Sequence, residues 1–147
     1  MNLITTLEVN KIIEYNKNPH LNLLVEKHIA EQHFDWLKFE VFGNYLHGKG
    51  TLLIGSKKYS VEIFYSPSHY KKTKRFDKIF IKDERIIYND DIHVYGDLSL
   101  CLFHPIIDKP LFNIIPLYKI IPRISEWCVH FEEYIKYGVW LGKEIKH

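Results

Sequence analysis

The chain has 147 residues, 46% of them hydrophobic and 15% aromatic, a composition that excludes a disordered polypeptide and predicts one domain with one core. Its 20 basic and 18 acidic side chains leave a formal charge of +2, which is too balanced to indicate nucleic-acid binding. The first residues do not resemble a signal peptide and no apolar run approaches the ~20 residues that span a bilayer, so we expect a cytoplasmic protein with free thiols.

Residues 1–33 predict helix in two pieces, with a break where Asn16 and Pro19 cluster. In the first piece, apolar residues recur at roughly helical spacing over residues 4–13. The second piece carries an apolar stripe that consists of Leu21, Leu24, Val25, His28 and Ile29.

The middle of the chain predicts a sheet of four strands. The strands are expected at residues 36–42, 51–54, 59–65 and 76–81. Gly48–Gly50 and Gly55–Lys58 indicate turns, and Pro67 marks the end of the third strand because proline has no amide to donate. The third strand alternates cleanly, with Tyr59, Val61, Ile63 and Tyr65 on one face. Connections this short cannot join parallel strands, so the sheet is predicted to be an antiparallel meander.

Residues 82–110 then form a long segment with little periodicity. It is rich in Ile, Leu, Tyr and Phe, so we expect it to be packed against the domain. Helical periodicity returns from Asn113, with one apolar stripe that consists of Ile120, Ile124, Trp127, Cys128 and Phe131. Pro122 is expected in the first turn of this helix and Gly138 at its end. On this stripe, Cys128 is predicted to be a core residue.

Cys101 is the candidate nucleophile, with His93 shortly upstream and His104 shortly downstream. A thiolate is a strong nucleophile, and a nearby imidazole raises the population of the thiolate form. Leucines alternate with Cys101 on either side, so on a pleated strand they face away from it. We therefore expect Cys101 in a shallow surface groove, where another protein can reach it. The alternative is a small core residue, because free cysteine is often buried.

Two stretches resemble the ubiquitin-conjugating enzymes. Residues 59–63, followed by Pro67, are similar to the third strand of that family. His93 ahead of Gly96, and then residues 100–102 with the sequence Leu-Cys-Leu, resemble the family's His-Pro-Asn block and active-site cysteine. The resemblance implies an α+β fold over residues 1–147 as a single domain: an amino-terminal helix, a four-stranded antiparallel meander, a cysteine-bearing flap and a carboxy-terminal helix.

The carboxy-terminal part resembles, more narrowly, the conjugating proteins encoded with bacterial cyclic-oligonucleotide (CBASS) antiphage systems. The matching residues are Trp127, Glu132, Gly138, Trp140, Gly142, Glu144 and His147. The resemblance implies that Cys101 forms a thioester with the carboxy terminus of a cGAS/DncV-like nucleotidyltransferase and passes the acyl group to a protein lysine or another amine. No cofactor, membrane or nucleic acid is expected. Nor is a metal, because Glu132, Glu133, Glu144 and His147 do not show a metal-ligand spacing.

The family's asparagine, which is thought to stabilise the oxyanion, has no counterpart here, because His93 is followed by Val94 and Tyr95. The hydroxyl of Tyr95, the hydroxyl of Ser99 or a flap amide are the candidate substitutes. His93 is interpreted either as a base or as a residue that ties down the flap by a hydrogen bond from a ring nitrogen, and the family precedent favours the structural role.

Two other functions stay open from the sequence. One is a non-catalytic binding module with the same fold. The other is a cysteine hydrolase that uses Cys101 with His93 or His104, which needs a base oriented by a third group. A basic cluster near residues 71–75 is interpreted as a solvated loop, or alternatively as a docking patch for an acidic partner.

Overall fold

The computed structural model describes residues 19–66, 77–102 and 115–142, and in these residues a four-stranded sheet packs against two helices. In chain order the elements are α1 (Pro19–His33), β1 (Leu37–Phe42), β2 (Tyr45–Ile54), β3 (Lys57–Tyr65), β4 (Asp77–Lys82) and α2 (Leu117–Tyr137). The strands pair antiparallel in the order β1-β2-β3-β4, so the predicted α+β class and meander are confirmed. The helical piece predicted over residues 4–13 lies outside the described residues. None of the helices in the described ranges combines the length and the apolarity that a membrane crossing needs.

The turn between the first two strands lies at Gly43 and Asn44, and the prediction of a turn at Gly48–Gly50 is wrong. Those glycines are inside β2, where they let the neighbouring strand approach closely. A β-carbon at Gly48 would lie 2.3 Å from the Phe39 ring, and one at Gly50 would lie 2.0 Å from the Trp36 carbonyl oxygen. Glycine is required at these two positions because a side chain would collide with neighbouring atoms, and not because the chain turns there.

The inward face of β3 is the centre of the core, as its alternation predicts. Tyr59, Val61, Ile63 and Tyr65 are each at most 2% exposed. The hydroxyl of Tyr65 donates to the carbonyl of Ile115 at 2.9 Å, so this buried phenol has a polar partner. β3 begins at Lys57, inside the predicted turn of Gly55–Lys58 and two residues before the predicted strand, and it ends at Tyr65, before Pro67.

Helix α1 buries a different face from the predicted stripe, because Leu21, Leu24 and Val25 are 42–45% exposed. The buried face contains Asn22, Leu23, Glu26 and Ala30. One contact explains the orientation: the Glu26 carboxylate accepts the main-chain N–H of Leu117 at 2.8 Å, at the start of α2. A carboxylate at this position satisfies an amide that has no partner within its own helix.

Helix α2 packs through the predicted stripe, and all five of its residues are buried. It ends at Gly138, whose left-handed backbone (φ 77°) directs its N–H to the Tyr134 carbonyl at 2.7 Å. The helix begins at Leu117, so Pro122 is inside it and the prediction of a first-turn proline is wrong. The contact between Glu26 and Leu117 accounts for the earlier start, since it satisfies an amide at that end.

Candidate functional site

Both predicted site residues lie on one tight hairpin, residues 93–101, which we call the Cys101 hairpin. The main-chain N–H of Cys101 donates to the His93 carbonyl at 2.9 Å, and Val94 pairs with Leu100 as an antiparallel bridge. Closer to the tip, the N–H of Tyr95 donates to the Ser99 carbonyl at 2.9 Å. The structure therefore brings His93 and Cys101 together as main-chain partners across the hairpin.

The tip of the hairpin is organised by Asp97. Its carboxylate accepts the main-chain N–H of Ser99 at 2.9 Å and the Ser99 hydroxyl at 2.5 Å, and it lies 3.3 Å from the Lys78 ammonium. Ser99 is fully buried and its hydroxyl donates to Asp97, which disfavours it as an oxyanion donor. Asp97 thus shapes the turn at the tip of the hairpin.

Four further hydrogen bonds fix the hairpin and the residues on either side of it to the sheet and to α2. The N–H of Leu100 donates to the Ile79 carbonyl on β4 at 2.8 Å. From α2, the Trp127 indole N–H donates to the carbonyls of Ile92 at 2.9 Å and His93 at 3.3 Å. The Arg123 guanidinium donates to the Leu102 carbonyl at 3.0 Å. The main chain on both sides of the cysteine is thereby held by α2.

His93 is held in a conformation that is uncommon for a residue with a side chain. Its φ of 55° is left-handed, its side chain is buried, and its ring centroid lies 4.9 Å from that of Trp140. Its carbonyl accepts from both Cys101 and Trp127. These contacts fix the main chain and the ring of His93, and the predicted hydrogen bond from a ring nitrogen stays a prediction.

Cys101 is buried, at 2% exposure, so the expected surface groove is wrong for this structure. The prediction assumed an extended strand whose leucines face away from the cysteine. Leu98 instead adopts a left-handed backbone (φ 69°) and is 38% exposed, while Leu100 is fully buried. The hairpin breaks the predicted alternation of inward and outward side chains, so Leu100 and Cys101 are both buried.

Cys128 is a core residue, as predicted, and is also a free thiol. Burial raises its pKa to about 12, and the negative charges of Glu132 and Asp83 act in the same direction. The Cys128 thiol is therefore protonated at neutral pH and is a poor nucleophile.

The sequence interpretation missed a polar cluster that connects the residues directly after β4 with α2 and β3. The Arg85 guanidinium donates to Asp83 at 2.7 Å and to Glu132 at 2.7 Å, and the Tyr59 hydroxyl also donates to Glu132. Hydrogen bonds from Arg85 lower the pKa values of both carboxylates. The alternation of Asp83 and Arg85 directly after β4 was the available signal, but their partner is more than forty residues away in sequence.

Several expected residues cannot be placed at the site. His104, the basic cluster at residues 71–75, Glu144 and His147 lie outside the described residues. In the part of the chain that the structure describes, no group of three or more His, Cys, Asp or Glu side chains is arranged to hold a metal ion.

Comparison with known proteins gives one match. A family model described as type II CBASS E2 protein matches residues 26–147, a range that includes the whole sheet, the Cys101 hairpin and α2. No curated protein and no solved structure matches the chain.

Proposed function

The chain belongs to the family of type II CBASS E2 proteins, and from this premise we propose that it is a ubiquitin-conjugating-like acyltransferase of antiphage defence. Cys101 is its acyl carrier. The partner is a cGAS/DncV-like nucleotidyltransferase, whose carboxy terminus is the acyl group, and the final acceptor is a lysine or another amine.

The pairing of His93 with Cys101 is the observation that carries this proposal. The cysteine lies on a short hairpin whose main chain is fixed by β4 on one side and by Trp127 on the other. The contacts of His93 with Cys101 and with Trp127 do not involve β4, and a nucleophile held by them loses little freedom when it reacts, which favours catalysis. Both thiols are buried, but Cys101 lies in the segment that resembles the family's active site, whereas Cys128 lies on the core-facing side of α2.

The chemistry consists of two acyl transfers. In the first, the Cys101 thiolate attacks the carbonyl carbon of an activated carboxy terminus, delivered as an adenylate or a thioester by a second protein. The C–S bond forms, and the activating group leaves with its electron pair. In the second, an amine attacks the thioester carbon, the C–N bond forms, the thiolate leaves and the amine loses a proton.

The burial of Cys101 adds a conformational step to the proposal, because the sulfur has to reach a carbon on another protein. The described ties between the hairpin and β4 are the Leu100 to Ile79 hydrogen bond and the ion pair between Lys78 and Asp97. The ion pair is half exposed, and such pairs contribute little stability. We propose that these two interactions break when the Cys101 hairpin separates from β4, and that binding of the partner stabilises this open form.

A non-catalytic binding module is the second candidate, and the 2% exposure of Cys101 is the observation that favours it. Such a module needs the fold to bind its partner but does not need the thiol. The two candidates therefore differ in whether the Cys101 thiol is needed for function.

The test is co-expression with the nucleotidyltransferase that accompanies this chain, in cells challenged with phage. We expect Cys101→Ala to abolish both a thiol-sensitive covalent adduct and protection, and the matched Cys128→Ala to retain both. Equal protection by wild type and Cys101→Ala, with equal partner binding, establishes the binding module instead.

A further inference from the structure

We propose that Trp140, in the tail that follows α2, is a positioning residue that holds the Cys101 hairpin closed by way of His93. The inference deepens the proposed function of Cys101 and rests on it for its effect on transfer. Its effect on the hairpin itself can be measured without any partner protein.

Trp140 lies at the centre of an aromatic cluster beside the hairpin. Its ring centroid is 4.9 Å from that of His93, 5.6 Å from that of His130 and 5.8 Å from that of Trp127. His130 and Trp127 belong to α2, whereas His93 belongs to the hairpin. Trp140 therefore connects the last helix with the residue that pairs with Cys101.

The tail is fixed where it turns back along α2. Gly138 reverses the chain with a left-handed backbone. Beyond Trp140, Gly142 lies so close to His130 that a β-carbon there would be 2.5 Å from the imidazole. Val139 and Leu141, on either side of Trp140, are more than half exposed. Only Trp140 of these three neighbouring side chains reaches into the cluster.

His93 requires such support because of its backbone. A left-handed φ at a residue with a side chain persists where surrounding contacts hold it. The Trp127 indole N–H donates to the His93 carbonyl, and the Trp140 ring packs against the His93 imidazole. The same carbonyl accepts the Cys101 N–H, so a change in the orientation of His93 moves the main chain of the cysteine.

Loss of the Trp140 ring should therefore have two opposite effects. The hairpin opens more often, so a small reagent reaches the Cys101 thiol more easily. The thiol is also less well positioned, so acyl transfer becomes slower. A residue that only fills space in the core is not expected to separate the two effects.

The experiment measures alkylation by iodoacetamide at each cysteine, with peptide mass spectrometry, in the full chain. Cys128 is an internal reference, because it is buried in α2 and reports general loosening of the fold. We expect Trp140→Ala to raise the Cys101 rate about tenfold through local opening, with the Cys128 rate unchanged. Trp140→Phe, which keeps a ring, and Leu141→Ala, the exposed neighbour, should each stay within about twofold of wild type.

A second variant tests the same contact without removing the ring. Gly142→Val places a branched side chain against His130 and should push the tail, with Trp140, away from α2, again raising the Cys101 rate alone. An equal rise at both cysteines in either variant, or no rise at Cys101, overturns the proposal. If wild type forms no adduct with the nucleotidyltransferase, the proposed function fails, and the alkylation ratio still decides the role of Trp140.

Discussion

The main-chain amide of Cys101 donates to the carbonyl of His93 at 2.9 Å, which makes these two residues opposite members of one hairpin. The bond involves backbone atoms, so it depends on the conformation of His93 more than on the chemistry of its ring. The ring packs against Trp140, and the carbonyl also receives the Trp127 indole. In our account His93 contributes to catalysis by placing the cysteine.

His93→Phe tests this assignment, because it keeps a ring against Trp140 and removes the titratable imidazole. We expect adduct formation with the nucleotidyltransferase within about fivefold of wild type, the loss reflecting backbone strain at a positive φ. His93→Ala, which removes the ring contact, should lose more. A much larger loss of the adduct in His93→Phe, with a residual rate whose pH profile differs from that of wild type, identifies the imidazole as a base.

Arg123→Met should weaken the tie between α2 and the residue after Cys101. The guanidinium donates to the Leu102 carbonyl at 3.0 Å, and the loss of such a bond costs about 1–2 kcal/mol in the free energy of unfolding. Urea denaturation measures this change. Lys136→Met, near the far end of α2, is the control, because it removes the same charge from an exposed residue whose ammonium lies 5.1 Å from the neighbouring Tyr137 ring. Equal stability of the two variants contradicts the role given to Arg123.

The cluster of Asp83, Arg85 and Glu132 predicts a stability that decreases in acid. Hydrogen bonds from Arg85 lower the pKa values of Glu132 and Asp83 from their ordinary values of 4.5 and 3.8. Their stabilising contribution is complete above those ordinary values and is lost as the pH falls through the lower folded values. Arg85→Met should reduce this dependence, as measured by urea midpoints between pH 2 and 6. An unchanged pH dependence shows that other carboxylates cause the acid loss.

Two glycines provide a contrast between crowded and open backbone. Gly50→Ala places a β-carbon 2.0 Å from the Trp36 carbonyl oxygen, so β1 and β2 have to separate, and we expect a loss of at least ~2 kcal/mol. Gly96→Ala, in the Cys101 hairpin, meets nothing within 4 Å and should change stability by less than ~0.5 kcal/mol. Thermal denaturation of both variants checks the order, and the reverse order contradicts the packing described for β2.

Local periodicity was enough to predict β3 and the buried face of α2. The alternation from Tyr59 to Tyr65 and the stripe from Ile120 to Phe131 each follow from a repeat within one element. Such repeats indicate which side of the strand or helix is buried, without any knowledge of the rest of the chain.

The remaining features depend on contacts between distant residues. The orientation of α1 follows from Glu26 binding the amide of Leu117, which no repeat within α1 encodes. The burial of Cys101 follows from a positive φ at Leu98, a conformation that leucine rarely adopts and that the sequence does not signal. The sequence shows only that His93 lies a few residues before Cys101, and it does not predict the main-chain hydrogen bond between them.

The most direct test of the central claim is to find the bond itself. The chain is co-expressed with the proposed partner, a cGAS/DncV-like nucleotidyltransferase, and isolated without reductant. The complex is then digested, and the cross-linked peptide is sequenced by mass spectrometry. We expect the partner's carboxy-terminal residue joined to the sulfur of Cys101, released by hydroxylamine and present in Cys128→Ala. A covalent complex that persists in Cys101→Ala, or one attached through Cys128, contradicts the account.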